Sequence, residues 1–196
     1  MILSNVAIHR AIDDGALVIR PEPLPRLNSL TGPSSPYDTT SVNLRLGHSL
    51  NVGDETKPFV FDLRKPGLAS FLKSAYRPVT IDREGGYSLE PKVFVLGNTL
   101  EQIELPIRPG HRCLAARVEG KSSFARCGLL IHFTAPTIHA GFSGTITFEI
   151  MNLGPQPIML FPEMKICQLI FEWVDGEPLQ SDGQFHGQTT PAGTSS

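Results

Sequence analysis

The sequence predicts a mainly β protein, a sandwich or barrel, on three observations. From Tyr87 onward, short apolar runs are separated by Pro, Gly and Asn: VFVLGNTLEQIELP, CLAARVEG, GLLIHFTAP, GTITFEIMNLG, PIMLFP and KICQLIFEW. Runs of that length and spacing suit strands joined by turns, and lack the strand–helix rhythm of βαβ units. The 18 glycines and 17 prolines supply the turns. Within GTITFEIMNLG the residues alternate, with Ile146, Phe148 and Ile150 on one face and Thr145, Thr147 and Glu149 on the other.

Each element follows in chain order. Ser4 caps a short helix through about Asp13, whose apolar stripe is Val6, Ala7, Ala11 and Ile12, and Gly15 suits its C′ position. Residues 21–41 are rich in Pro, Ser and Thr and read as a long surface loop. SVNLRLG, Ser41–Gly47, alternates and stops at a glycine as a strand does. Lys65–Arg83 is ambiguous; LASFLKSAY is compatible with one short helix. No internal repeat is present. After Glu177 the chain turns polar, rich in Gly, Ser, Thr and Gln. Residues 1–177 are therefore one β domain, and 178–196 a flexible tail or a flap that orders on a ligand.

Composition narrows the function. The 196 residues suffice for one domain with a sizeable core. With 17 basic and 19 acidic residues the net charge is −2, so no basic excess points to a nucleic acid polymer. An anionic ligand must then be met by local cations. Three cysteines, Cys113, Cys127 and Cys167, form no CxxC pair, which suits a reducing compartment. No charged and apolar leader opens the chain, and no run reaches the ~18 apolar residues of a membrane helix. These features set the expectation of a cytoplasmic protein with no membrane partner.

Several residue types can carry chemistry. Glu149, alone on the polar face of a strand, is either solvated or a general acid/base, and such a group contributes roughly 10²–10⁴-fold in rate. GKSS, Gly120–Ser123, imitates the end of a phosphate-binding loop, but the first glycine of that motif would fall at Ala115, so the match fails. It remains either a Ser-rich turn or a turn whose hydroxyls and N–H groups meet phosphates, with Lys121 as a point charge. Arg126 is a surface or ion-paired arginine, or a partner for Glu149. None of the six histidines is followed by x-Glu, and no CxxC exists, which disfavours a zinc-hydroxide deaminase. His132 and His139 flank a Gly/Pro turn, where a lone histidine is more often structural.

Taken together and in order, these pieces resemble one family. GKSSFARCGL is similar to the Gly-Arg-Ser-Ser-Leu-Ala-Arg-x-Gly-Leu of the dCTP deaminases, within the trimeric dUTPase superfamily. IHFTAPTIHAGFSGTITFEIMN resembles their His-Val-Thr-Ala…Ile-Asp-x-Gly-Phe-x-Gly…Leu-Glu stretch. SVNLRLG resembles Ser-Val-Asp-Leu-Arg-Leu-Gly, and MILSNVAIHRAIDDGALVI their N-terminal helix and strand. GQFHGQTTPAG resembles their C-terminal flap. The likeness spans nearly the whole chain except about residues 52–80.

The resemblance implies a distorted β-barrel or jelly-roll homotrimer with active sites between subunits. It implies deamination of a deoxycytidine nucleotide without zinc, with Mg²⁺ carried only on the phosphates and dCTP converted to dUTP and ammonia. Glu149 stands at the position of the acid/base. Ser122, Arg126 and the Ala135 carbonyl stand where the attacking water is placed. Phe133 and Thr134 lie where backbone atoms read the base, and Phe142 where a ring meets the deoxyribose. Lys121, Ser123, His139, Gln168, Gln184, Phe185 and Gln188 complete the implied nucleotide shell. The chain departs from the pattern at Lys121 (for Arg), Asn43 and His139 (for Asp), Gln184 (for Lys) and Phe185 (for Tyr). The phosphate and sugar shell is thus more altered than the deamination centre. A dUTPase, or a bifunctional deaminase–pyrophosphatase, is the alternative enzyme. A non-catalytic nucleotide-binding regulatory module on the same fold is the alternative from another class.

Overall fold

The computed structural model describes residues 1–54, 56, 60–64 and 67–179. Ser4 caps α1 (Asn5–Asp13), its Oγ accepting from the Ala7 N–H at 3.3 Å, and the helix buries Ile8 and Ala11. Gly15 ends it at φ +66°, where a Cβ-bearing residue is strained. The chain then forms β1 (Val18–Arg20), β2 (Tyr37–Asp38), β3 (Ser41–Arg45) and β4 (Ser49–Gly53). The short helix α2 (Leu68–Ala75) leads directly into β5 (Tyr76–Thr80). There follow β6 (Tyr87–Leu89), β7 (Phe94–Glu104), β8 (Leu114–Gly120) and the single turn α3 (Ser122–Ala125). The last strands are β9 (Leu129–Leu130), β10 (Thr137–Ile138), β11 (Ser143–Asn152), β12 (Ile158–Leu160) and β13 (Lys165–Trp173).

These strands build two antiparallel sheets over one apolar core, the mainly β class that the sequence predicts. The first runs β5-β4-β7-β11-β9 with β1 also on β7, and the second runs β10-β8-β13-β3-β2. β12 and β6 pair in a separate two-stranded ladder. Among the described strands neither sheet closes on itself, so the architecture is a sandwich rather than a closed barrel. Phe148 and Ile150 of β11 and Leu169 and Phe171 of β13 meet in the shared core. Ile146, Phe148 and Ile150 point inward as their alternation requires, and Glu149 lies half-buried on the opposite face.

A bulge fixes the register of β11. Thr145 pairs with Gln102 and Thr147 with Asn98, so Thr99 to Glu101 face the single residue Ile146. The Ile146 N–H, displaced from the ladder, donates to Thr99 Oγ1 at 2.9 Å, and Thr99 Oγ1 donates to the Glu101 carbonyl at 2.6 Å. The same kink carries Glu101 inward to 0 % exposure. A buried carboxylate is costly unless paired. Here it accepts the Arg45 N–H at 2.9 Å and Arg45 Nε at 2.7 Å, which ties the two sheets together. All three cysteines are free; Cys113 and Cys167 are buried and Cys127 is exposed. Burial, and then the Glu101 charge, push the Cys167 thiol pKa up.

Candidate active site

The end of β11 and the loop after β9 build the centre of the site. The Glu149 N–H donates to the Ile131 carbonyl at 3.1 Å, which lays residues 131–133 beside the strand. Glu149 Oε2 then accepts the Phe133 N–H at 3.0 Å. Its second oxygen has no hydrogen-bond partner among the described residues. Phe133 is 47 % exposed and rests edge-on against Phe94, with ring centroids 5.6 Å apart. Thr134 and Ala135 continue as exposed loop. The Pro136 carbonyl accepts the Val118 N–H at 2.8 Å, and β10 pairs with β8, so both ends of this loop are fastened. A half-buried carboxylate thus faces an exposed loop, which suits recognition of a planar, hydrogen-bonding ring.

A tight turn leads into β11. Gly141, at φ +87°, donates its N–H to the Leu105 carbonyl at 2.6 Å, and the Leu105 N–H donates to the Phe142 carbonyl at 2.9 Å. The Phe142 ring packs against the core, while His139 at the start of the turn is exposed.

Ser122 and Ser123 open the turn α3, which Lys121 and Arg126 flank. Both serines and Arg126 are exposed. Phe124 anchors the turn on the core. Its exit is held by close backbone contact: Gly128 sits at φ +92°, and a Cβ there would meet Gly154 N at 2.2 Å. A Cβ on Gly154 would meet the Cys127 carbonyl at 2.3 Å. The Leu153 N–H donates to the Gly128 carbonyl at 2.8 Å across this contact. Arg126 and Cys127 line a cleft of about 460 Å³ with Pro155, Gln156, Pro157 and Ile158.

Within one chain two sets of the expected site residues are joined by hydrogen bonds. Glu149 and Phe133 touch. Lys121 and Gln168 join a second network: Lys121 Nζ donates to Asn43 Oδ1, and Asn43 Nδ2 and Gln168 Nε2 donate to Asp38 Oδ2 at 2.9 and 3.5 Å. No hydrogen bond or ion pair connects Glu149 to Ser122 or Arg126 among the described residues. Gln184, Phe185 and Gln188 lie outside the described residues. Asp38 and the Asn43–Lys121 contact are additions to the site that sequence reading missed. The available signal was that Asn43 and Lys121 depart from the pattern together.

A family model for dCTP deaminase-like proteins matches residues 2–174. The chain belongs to the dCTP deaminase-like family. A dUMP-forming dCTP deaminase of Coprothermobacter proteolyticus is 38 % identical over 198 aligned positions, covering 99 % of this chain and 95 % of that protein. A dUMP-forming dCTP deaminase of Methanosphaera stadtmanae is 33 % identical, covering 97 % of this chain and 91 % of its own. A dCTP deaminase of Rhodospirillum rubrum is 34 % identical, over 88 % of this chain and 82 % of its own. The crystal structure of 2′-deoxycytidine 5′-triphosphate deaminase from Agrobacterium tumefaciens superposes with a TM-score of 0.60. It shares 20 % identity and covers 87 % of this chain and 47 % of that one, so it speaks to the fold alone. As a dCTP deaminase-like chain, the protein carries no helix long and apolar enough to cross a membrane among its described residues.

Proposed function

We propose that the protein hydrolyses the 4-amino group of a deoxycytidine nucleotide, dCTP in the first place. The observation that carries this reading is the Glu149 carboxylate, held through Oε2 by the Phe133 N–H with its other oxygen open to a ligand. In the proposed step water, positioned by Ser122, Arg126 and the Ala135 carbonyl, gives a proton to Glu149 and adds its oxygen to C4. Glu149 passes that proton to N3. The C4–N4 bond then breaks, ammonia leaves with the second proton of the water, and a uracil ring remains. Backbone atoms of Phe133 and Thr134 read the base edge, and the Phe142 ring sits against the sugar.

Lys121, Ser123 and Gln168 belong to the phosphate side, with the flap residues Gln184, Phe185 and Gln188 closing over it. His139 faces the sugar and phosphates. Mg²⁺ keeps most of its waters and is typically held by one or two carboxylates plus substrate phosphates. Asp38 is an exposed carboxylate joined to Lys121 through the Asn43 amide. Asp38 would hold the hydrated ion, whose chemistry is to neutralise phosphate charge. The site is completed, on this reading, by a neighbouring copy in a homotrimer.

The product needs a correction to the sequence expectation of dUTP. Several relatives are named as dUMP-forming, which favours a second hydrolysis: dUTP and water give dUMP and pyrophosphate. One experiment tests both steps. The protein is incubated with dCTP, dCDP, dCMP or dUTP plus Mg²⁺, and ammonia, uracil nucleotides and pyrophosphate are resolved. Ammonia and dUMP from dCTP are expected. Absence of ammonia from every cytosine nucleotide would leave a dUTPase if dUTP still gives pyrophosphate, and the nucleotide-binding module if it does not.

A further inference from the structure

Asn43 is buried, at 6 % exposure, in the middle of β3, opposite Gln168 of β13. Both hydrogens of its side-chain amide are used. One goes to the Pro36 carbonyl at 2.8 Å and one to Asp38 Oδ2 at 2.9 Å, while its backbone N–H also donates to Pro36 at 2.8 Å. With both N–H groups committed, the amide has one orientation, and only Oδ1 is left to face outward. That oxygen accepts from Lys121 Nζ. The flipped amide would set an NH₂ against an ammonium and lose two acceptors, so the network itself decides the assignment.

The arrangement separates two charges. Asp38 lies on one side of the amide and Lys121 on the other, and no ion pair joins Lys121 to a carboxylate among the described residues. An ammonium has three hydrogens. One is spent on a neutral oxygen, and two remain for a ligand. A carboxylate at position 43 would act differently. It would neutralise Lys121 directly, lose the donor contact to Asp38, and bring two acidic groups together.

We propose that Asn43 is a positioning residue of the phosphate subsite: its amide fixes the Lys121 ammonium without dividing its charge. This rests on the reading of Lys121 as a phosphate contact. It also accounts for two departures from the family pattern as one exchange. Lysine with asparagine replaces arginine with aspartate, and the two positions touch. An arginine carries five donors, enough to serve a carboxylate and a phosphate together, whereas a lysine needs a partner that leaves its charge intact.

The test uses the full chain with Mg²⁺ and reads ammonia release from dCTP. Inorganic tripolyphosphate and deoxycytidine serve as competing ligands that isolate the phosphate and base halves. Asn43→Asp is close to isosteric, and its thermal midpoint is read alongside. Expected for Asn43→Asp is a rise of about tenfold in the dCTP KM and in the tripolyphosphate inhibition constant, as for loss of one charge-assisted contact. The deoxycytidine inhibition constant and kcat stay near those of the parent. Adding Lys121→Arg to Asn43→Asp restores most of the tripolyphosphate affinity. An unchanged tripolyphosphate constant in Asn43→Asp, an equal loss for deoxycytidine, or no recovery in the double variant would each overturn the proposal. Lys121→Gln separates the two levels. If it weakens tripolyphosphate while Asn43→Asp does not, the positioning role alone fails. If it leaves tripolyphosphate unaffected, Lys121 is not a phosphate contact and the reading beneath the proposal fails too.

Discussion

Glu149 keeps its place through a bond that an amide can also accept. In Glu149→Gln the side-chain oxygen still receives the Phe133 N–H, and what disappears is the titratable proton. Deamination is therefore expected to fall by at least roughly 10²-fold, while calorimetry still detects dCTP binding. Turnover near that of the parent would remove Glu149 from the chemistry. At this scale the sequence was informative about side-chain direction and silent about partners. Alternation alone put Glu149 opposite Ile146, Phe148 and Ile150, as the structure has it. The Phe133 N–H could not be found that way, because the pairing between β9 and β11 decides which backbone group meets the carboxylate. Nor could the contact between Asn43 and Lys121, 78 residues apart, be read from either neighbourhood.

Among the elements, long strands were legible, and of the short ones β12, read from PIMLFP, was too. The apolar runs became β7, β8, β11 and β13, and Ser4 with Gly15 bracketed α1 correctly. β2, β6 and β10 hold two or three residues each, too few to show a period of two. GLLIHFTAP reads as a strand, yet only Leu129 and Leu130 pair with β11. Its remainder leaves the ladder to expose backbone at the site. The bulge in β7 is likewise invisible to pattern, because Thr99 and Glu101 are polar residues turned inward. The exit of α3 gives a prediction of its own. Gly128→Ala combines a left-handed φ with a Cβ driven onto Gly154, so a loss of at least about 1–3 kcal/mol is expected by chemical denaturation. Arg126, two residues upstream, moves with that exit, and deamination should drop further than stability alone explains. A Gly128→Ala protein with the parent's midpoint and turnover would show that the Gly128–Gly154 approach is slack.

For the whole molecule, the lack of a hydrogen bond or ion pair from Glu149 to Ser122 or Arg126 among the described residues gives the proposed homotrimer a direct test. Glu149→Gln and Arg126→Ala should each be inactive alone. If the two groups serve one site from different copies, unfolding and refolding the variants together in equal amounts restores roughly a quarter of parent activity by random assortment. Light scattering should then return the mass of three chains. A mixture as silent as its parts would place the whole catalytic set in one chain. The cysteines add a readout of motion that needs no substrate. In the native chain one thiol, Cys127, stands open to a water-soluble alkylating reagent, beside Arg126. Cys113 and Cys167 are sealed in the core, and the raised pKa of Cys167 keeps it as the unreactive thiol. Labelling should therefore proceed as one fast event followed by two slow ones. The fast rate reports whatever covers the cleft, whether nucleotide or neighbour, and the slow rates report how often the two sheets part. Three sulfur atoms thus make the protein its own clock for opening at the surface and opening at the core.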